Sequence, residues 1–432
     1  MVLALATAIL ATWIQPAFPV GSYKPDLSRA SKRSQGVLSA YFGQALLVMR
    51  PNGKFELCGI KQDGYWRPHG NRYVLVFDGF FAVQWTDPAE SLRKAWPQSH
   101  AEGLVLSRGS GGSLVLPSWG AVDGPVIFRP MPKRSVAELL VTSNAEQTSA
   151  ASDEAFYALK DNLETLWPEI LHFVADPKRK VDQRSWAALM LAGLKNRAGI
   201  DSAARLILKL KEGSLRHALA GCAARNPTET TGDLLLQANA KGLLQPADVA
   251  PALGRLKRRK DVPALIGWVS SKREYDRIES LNALTMLGAT EALEPARNLA
   301  GDPEESVQLA AAGLVARLSP DPTERRTAIS KLAGWLKSTD FLLPFAAVDA
   351  LCMSEVPEAL PHLVAILGSN MPAVNRRNTA MALGNLGDPR TVPALIEAKL
   401  RRDAPGSMVE ESEVRRAAAE ALVKIGKRKS KG

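Results

Sequence analysis

Four prolines, Pro263, Pro295, Pro361 and Pro393, constrain this chain most. They stand 32, 66 and 32 residues apart, and 66 is two steps of 33. Around two of them the words are the same, Val262-Pro263-Ala264-Leu265-Ile266 and Val392-Pro393-Ala394-Leu395-Ile396. A period in the thirties marks a stacked repeat, in which each unit buries its apolar face only against its neighbours. More than half of the chain is thereby committed to one architecture, and that architecture is a surface for binding.

A small-Leu-x-x-apolar word precedes each marker proline. The clearest copies are Ala252-Leu253…Leu256, Ala283-Leu284…Leu287, Leu314-Val315…Leu318, Ala382-Leu383…Leu386 and Ala421-Leu422…Ile425, with weaker ones at Ala188, Ala218 and Ala350. Val307, Ala310, Ala311, Leu314, Val315 and Leu318 form one helical stripe, and Val414 to Ile425 repeat the spacing. Gly288 and Gly387 follow their stripes directly, where a helix C-terminus calls for positive φ. Proline suits the first turn of the next helix, where its missing N–H costs nothing. Each unit is therefore helix, turn, helix. About eight units fit between Arg184 and Gly426, the last lacking its second helix.

The stretch Arg377-Asn378-Thr379-Ala380-Met381-Ala382-Leu383-Gly384-Asn385-Leu386-Gly387-Asp388-Pro389-Arg390-Thr391-Val392-Pro393-Ala394-Leu395-Ile396 resembles a HEAT repeat. It is similar to the short HEAT-like type of phycobilisome lyases and bacterial scaffold proteins. Val414 to Gly426 resembles the first half of another unit. The resemblance implies an α-solenoid whose second helices line a concave surface. It names no function, since this repeat serves enzymes, chaperones and scaffolds alike.

Between Gly36 and Met131 the period changes to two. Ala45–Met49, the turn Pro51-Asn52-Gly53-Lys54 and Phe55–Ile60 read as strand, turn, strand. Further strands are expected at Tyr65–Arg67, Arg72–Phe77, Phe80–Trp85, Gly103–Leu106, Ser113–Leu116 and Val126–Arg129. Such a meander has to close or form a sandwich to hide its edges. The order of strands and the Asn-Gly and Gly-x-Trp words resemble small lipocalin-like barrels of bacterial envelope proteins. Tyr65, Trp66, Trp85 and Trp119 either line a ligand cavity or fill an aromatic core, with the core favoured. The fold class expected is thus multidomain, an N-terminal all-β antiparallel barrel or sandwich followed by a C-terminal all-α HEAT-like solenoid. The expected divisions are a leader (1–22), the β domain (36–131), a linker (132–152), capping helices (153–180), the solenoid (181–426) and a basic tail (427–432).

The leader reading rests on Val2 to Ile14, 13 apolar residues ended by Gln15-Pro16. That length suits the apolar core of a signal peptide better than a span of about 20 residues. No Lys or Arg precedes the run, and no small-x-small word follows near Pro19. Export to the periplasm or envelope is the expectation, with a cytoplasmic protein as the alternative.

Catalytic patterns are missing. The five histidines, His69, His100, His172, His217 and His362, have no partner spacing. No His-Glu-x-x-His, Cys-x-x-Cys or Gly-x-Ser-x-Gly occurs. Gly109-Ser110-Gly111-Gly112-Ser113 lacks the Lys-Ser/Thr ending of a phosphate loop and reads as a hairpin turn. Cys58, Cys222 and Cys352 are too scattered for a disulfide framework. No enzyme, cofactor or metal is expected.

Charge narrows the partners. Residues 1–177 hold 16 basic and 16 acidic side chains, and residues 178–432 hold 39 and 28, so the whole net charge of +11 lies in the helical part. The expected function is a non-enzymatic protein-interaction or assembly scaffold of the cell envelope, with a partner on the concave face. The alternatives are a nucleic-acid-binding solenoid if the protein is cytoplasmic, and a lyase or cofactor-attachment chaperone. Nucleic acid is disfavoured, because no aromatic and basic residues interleave on the helices. Counted from each marker proline, i+2 and i+3 are expected inward and i+1, i+4 and i+8 outward. That places His362, Ala365, Ala394, Glu397 and Arg401 on the binding row, with Trp268 reaching it. Arg258 and Arg259, in the run Arg255–Lys260, and the tail Lys427–Lys431 are expected to attract an acidic protein surface or anionic lipid head-groups.

Overall fold

A computed structural model of the chain describes residues 20–29, 35, 45–58, 62–69, 72–77, 103–116, 125–144, 149–401 and 408–429. Nearly all of the leader, the strand expected at 80–85, Trp85, Trp119 and residues 430–432 lie outside them. Two compact units form, Met1–Met190 and Leu191–Gly432.

In the first unit eight described strands pair antiparallel in chain order. They are β1 (Gly21–Asp26), β2 (Leu46–Met49), β3 (Lys54–Cys58), β4 (Gln62–His69), β5 (Arg72–Phe77), β6 (Gly103–Arg108), β7 (Leu114–Leu116) and β8 (Val126–Pro130). The sheet curls so far that β1 bonds to β2 on one side and to β8 on the other. It is a single curled antiparallel sheet. The expected turn joins β2 to β3, with Gly53 at φ 77°. Ser110–Gly112 makes the hairpin turn between β6 and β7, with Gly111 and Gly112 at positive φ. Alternation sends Leu47, Met49, Phe55, Leu57, Leu106, Leu114 and Leu116 into one apolar core. Trp66 sits in that core, and its indole N–H donates to the Arg50 carbonyl at 3.0 Å.

Three expected divisions of this unit are corrected. Strand β1 lies before residue 36 and takes in the end of the presumed leader; its Lys, Pro and Asp hid it from a search for apolar alternation. The linker 132–152 contains α1 (Val136–Ser143), started by a Ser135–Glu138 capping box and buried through Val136, Leu139 and Leu140. The capping helices belong with the sheet. Along α2 (Ala150–Asp161), Tyr157 packs on Leu46, Val48 and Cys58 of the outer sheet surface. Arg50 fastens this contact, donating to Asp161 at 2.7 and 2.8 Å and to Glu56 at 3.2 Å. Helices α3 (Leu163–Ala175) and α4 (Val181–Met190) complete the unit.

The second unit is all helical. It opens with α5 (Arg197–Ile207) and then holds six helix pairs among the described residues. These are α6 (Gly213–Ala223) with α7 (Glu229–Ala240), α8 (Pro246–Leu256) with α9 (Val262–Trp268), and α10 (Glu274–Leu287) with α11 (Leu293–Asn298). Next come α12 (Glu305–Leu318) with α13 (Pro322–Trp335), α14 (Leu343–Ser354) with α15 (Leu360–Gly368), and α16 (Ala373–Leu386) with α17 (Val392–Leu400). The chain ends on α18 (Met408–Lys429), so the basic tail is a continuation of this helix as far as it is described.

The marker prolines fall in the first turns of α9, α11, α15 and α17, as their spacing predicts. Each of these turns is built alike. The first helix ends at a left-handed residue, Lys257, Gly288, Glu355 or Gly387, and a 3-10 turn then leads into the second helix. The small residues of the repeat words meet their counterparts one repeat on. A Cβ on Gly254 would lie 2.8 Å from Ala283 Cα, one on Gly313 3.3 Å from Ala350 Cβ, and one on Gly384 2.7 Å from Ala421 Cα. Successive first helices therefore cross backbone to backbone.

Two opposite outcomes follow for denaturation midpoints. Gly384→Ala overpacks a crossing and lowers stability by about 1–3 kcal/mol, while Gly368→Ala, with no atom within 4 Å, does not. Lys257→Gly relieves a left-handed side-chain position and raises stability by roughly 1 kcal/mol.

Candidate partner-binding face

The second helices present one side to solvent. Leu265, Leu363 and Leu395, at i+2, are fully buried, and Ile366 and Ala398, at i+5, join them. At 100° per residue, a helix buried along i+2 and i+5 turns i, i+4 and i+7 outward. Pro361, Ala365 and Gly368 are exposed on α15, and Pro393, Glu397 and Leu400 on α17.

That alignment revises the expected row. Ala365 and Glu397 point outward as expected. His362 and Ala394, at i+1, lie half-buried on its flank, and Trp268, at i+5, is half-buried on the side that packs inward. Arg401 is half-buried and donates to the Ser369 carbonyl at 3.3 Å, so it ties the end of α17 to the end of α15 one repeat before. Residue i+3 does not pack inward throughout: Ile266 and Val364 are half-buried, and Ile396 is 44% exposed. Leu400, 70% exposed, was missed. The marker proline itself was the available signal, because i, i+4 and i+7 share its side of the helix.

A groove of about 180 Å³ opens between α11 and α13. Its floor is α12, through Ala311, Ala312 and Val315, and Lys331 and Trp335 stand on its α13 side. The 6-residue α11 and the 3-10 turn Leu299–Gly301 that continues it form one wall, through Ala296, Arg297 and Ala300, and the 14-residue α13 forms the other. Across the groove Arg297 donates to Glu324 at 2.7 and 2.9 Å, and Ser319 donates to the same carboxylate. Those hydrogen bonds, Arg297 first, hold the Glu324 carboxyl down at about 2.

The run Arg255–Lys260 is not an open cationic patch. The Arg258 side chain is 5% exposed and sits among Asp261 at 2.6 Å, Asp233 at 2.7 Å and Glu229 at 3.0 Å. Arg258 and Asp261 are buried beneath the exposed Glu229 and Asp233, so the guanidinium is enclosed by carboxylates, which corrects its expected role in attracting a partner. Arg259 is half-exposed and pairs with Glu291 of the next repeat at 2.5 Å. The sequence showed the cations together but not the carboxylates that fold onto them.

Residues 311–409 match the family model described as HEAT repeats. The chain is similar to the solved structure of YibA of Escherichia coli at 15% identity and TM-score 0.27, over 68% of this chain and 93% of that one. It is similar to the complex of CpcE and CpcF of phycocyanin lyase from Nostoc at 16% and 0.35, over 67% and 96%. Human deoxyhypusine hydroxylase is similar at 19% and 0.23, over 62% and 99%. No curated protein matches the chain. The C-terminal unit is a helical solenoid, and residues 311–409 of it match HEAT repeats.

Two measurements probe the charges. Arg258→Met leaves Asp261 buried without its cation and costs roughly 3–5 kcal/mol, whereas Arg259→Met costs under about 1 kcal/mol. Since the folded Glu324 carboxyl lies below its ordinary 4.5, its contribution is complete above that pH and is lost as pH falls toward 2. Between pH 5 and 2.5 the stability of Glu324→Gln is expected to fall less steeply than that of the natural protein; parallel curves refute the contribution.

Proposed function

We propose that this protein is a non-enzymatic interaction scaffold that holds a partner protein against the second-helix face of its solenoid. The observation that carries this reading is the outward row itself. Ile396 and Leu400 stand open to solvent on α17, and the neighbouring α15 offers Pro361, Ala365 and Gly368 without a charge. Exposed large apolar side chains beside small neighbours form the kind of patch that a partner covers. The HEAT repeat match at residues 311–409 supports a binding role for this part of the chain.

The partner is an acidic protein surface, with anionic lipid head-groups as the competing outcome, because the net charge of +11 lies in the helical part. An envelope location belongs to the same proposal and rests on the apolar run Val2–Ile14. The curled sheet we read as a small lipocalin-like barrel with a structural role, supported by the bonding of β1 to both β2 and β8 and by its filled core.

Affinity purification of the tagged full chain tests the reading. The natural protein is expected to retain a stoichiometric partner that Ala365→Arg combined with Leu400→Arg loses, with thermal midpoints unchanged. Retention is expected to fall as salt rises from 50 to 300 mM, since charges are screened beyond about 10 Å at 0.1 M. Equal retention by both proteins overturns the second-helix face as the site. Retention independent of salt removes the acidic partner.

A further inference from the structure

The α11–α13 groove differs from the rest of the second-helix face in both shape and charge. Its volume of about 180 Å³ is below the roughly 300–1,000 Å³ of small-molecule pockets, so it suits a side chain more than a cofactor. Its floor is alanine, so an incoming group comes close to the α12 backbone. Trp335 is half-buried at its edge, one turn beyond the exposed Lys331 on the same side of α13.

The charges within it are unequal. Glu324 is engaged on both oxygens, by Arg297 and Ser319, and Arg297 is further engaged by Glu294. Lys331 has no ion-pair partner among the described residues. The charge left for a visitor is therefore one positive ammonium next to an indole and an apolar floor.

We propose that this groove takes an extended acidic peptide segment of the partner. One apolar side chain settles on Ala311 and Ala312 against Trp335, and a neighbouring carboxylate meets Lys331. The inference rests on the partner-binding reading above and gives it a chemistry. Main-chain atoms of the segment would run along α13, whose exposed Thr327 lies one turn before Lys331.

Labelled, end-blocked decapeptides alternating leucine with glutamate, glutamine or lysine test it on the full chain by fluorescence polarisation at low salt. The glutamate peptide is expected to bind at least tenfold more tightly than the glutamine one. Lys331→Glu is expected to turn the preference to the lysine peptide. Ala312→Leu, which fills the floor, is expected to weaken the glutamate peptide at least tenfold; if it does not fold, Thr327→Trp blocks the same groove from its rim. Equal affinity for the glutamate and glutamine peptides, no binding by any peptide, or an unchanged preference in Lys331→Glu overturns the proposal. The wider reading fails separately: a partner lost by Ala365→Arg with Leu400→Arg but kept by Lys331→Glu refutes the groove alone, and one kept by both refutes the face as well.

Discussion

The solenoid depends on how closely its first helices approach. At Gly313 against Ala350 and Gly384 against Ala421 no side chain larger than a methyl group separates the backbones, and at Gly254 the end of Met286 reaches in beside Ala283. A stack of repeats has no single core, so its stability is a sum of such contacts between neighbours. The glycine–alanine crossings set the spacing between first helices. Whatever the second helices display is carried on that spacing. Leu253, Leu284, Leu314, Leu351 and Leu383, all fully buried, fill the space on either side of the crossings.

Ion pairs reinforce the stack at the same interval. Arg259 reaches Glu291, Arg297 reaches Glu324, Arg325 reaches Glu358 and Arg377 reaches Glu413, each about one repeat ahead. Partly exposed pairs of this kind contribute little singly and act mainly in sets. Their second effect is on the surface field. Each pair neutralises one cation with one carboxylate, so the net excess of +11 in the helical part remains on side chains outside such pairs.

Variation between repeats is what turns a regular stack into a specific surface. On α15 the outward row is proline and small residues, Pro361, Ala365 and Gly368. Between α11 with its 3-10 continuation and the 14-residue α13, the regular row gives way to a groove floored by α12. Where α17 ends the series of pairs, Ile396 and Leu400 come to the surface. A change of helix length and the end of a row are enough to distinguish one part of a repetitive face from another.

The sequence by itself determined the repeat, its period and its turns. Proline in a first helical turn and glycine in a left-handed cap are decided by backbone geometry that a residue carries with it. Helix C-termini at Lys257 and Glu355 escaped that logic, because neighbours impose the left-handed conformation on residues that do not prefer it. Alternation likewise revealed β2 and β3, while β1, with Lys24, Pro25 and Asp26, is a strand only because β2 and β8 pair with it. Tertiary structure alone decided the direction of the second helices, the burial of Arg258 and the existence of the groove. Each of those is set by what stands opposite: the carboxylates of Asp261, Glu229 and Asp233 around Arg258, α13 across from α11 and its 3-10 turn, a methyl group one repeat away. A periodic pattern tells which residues face a neighbour, but not which residue the neighbour puts there.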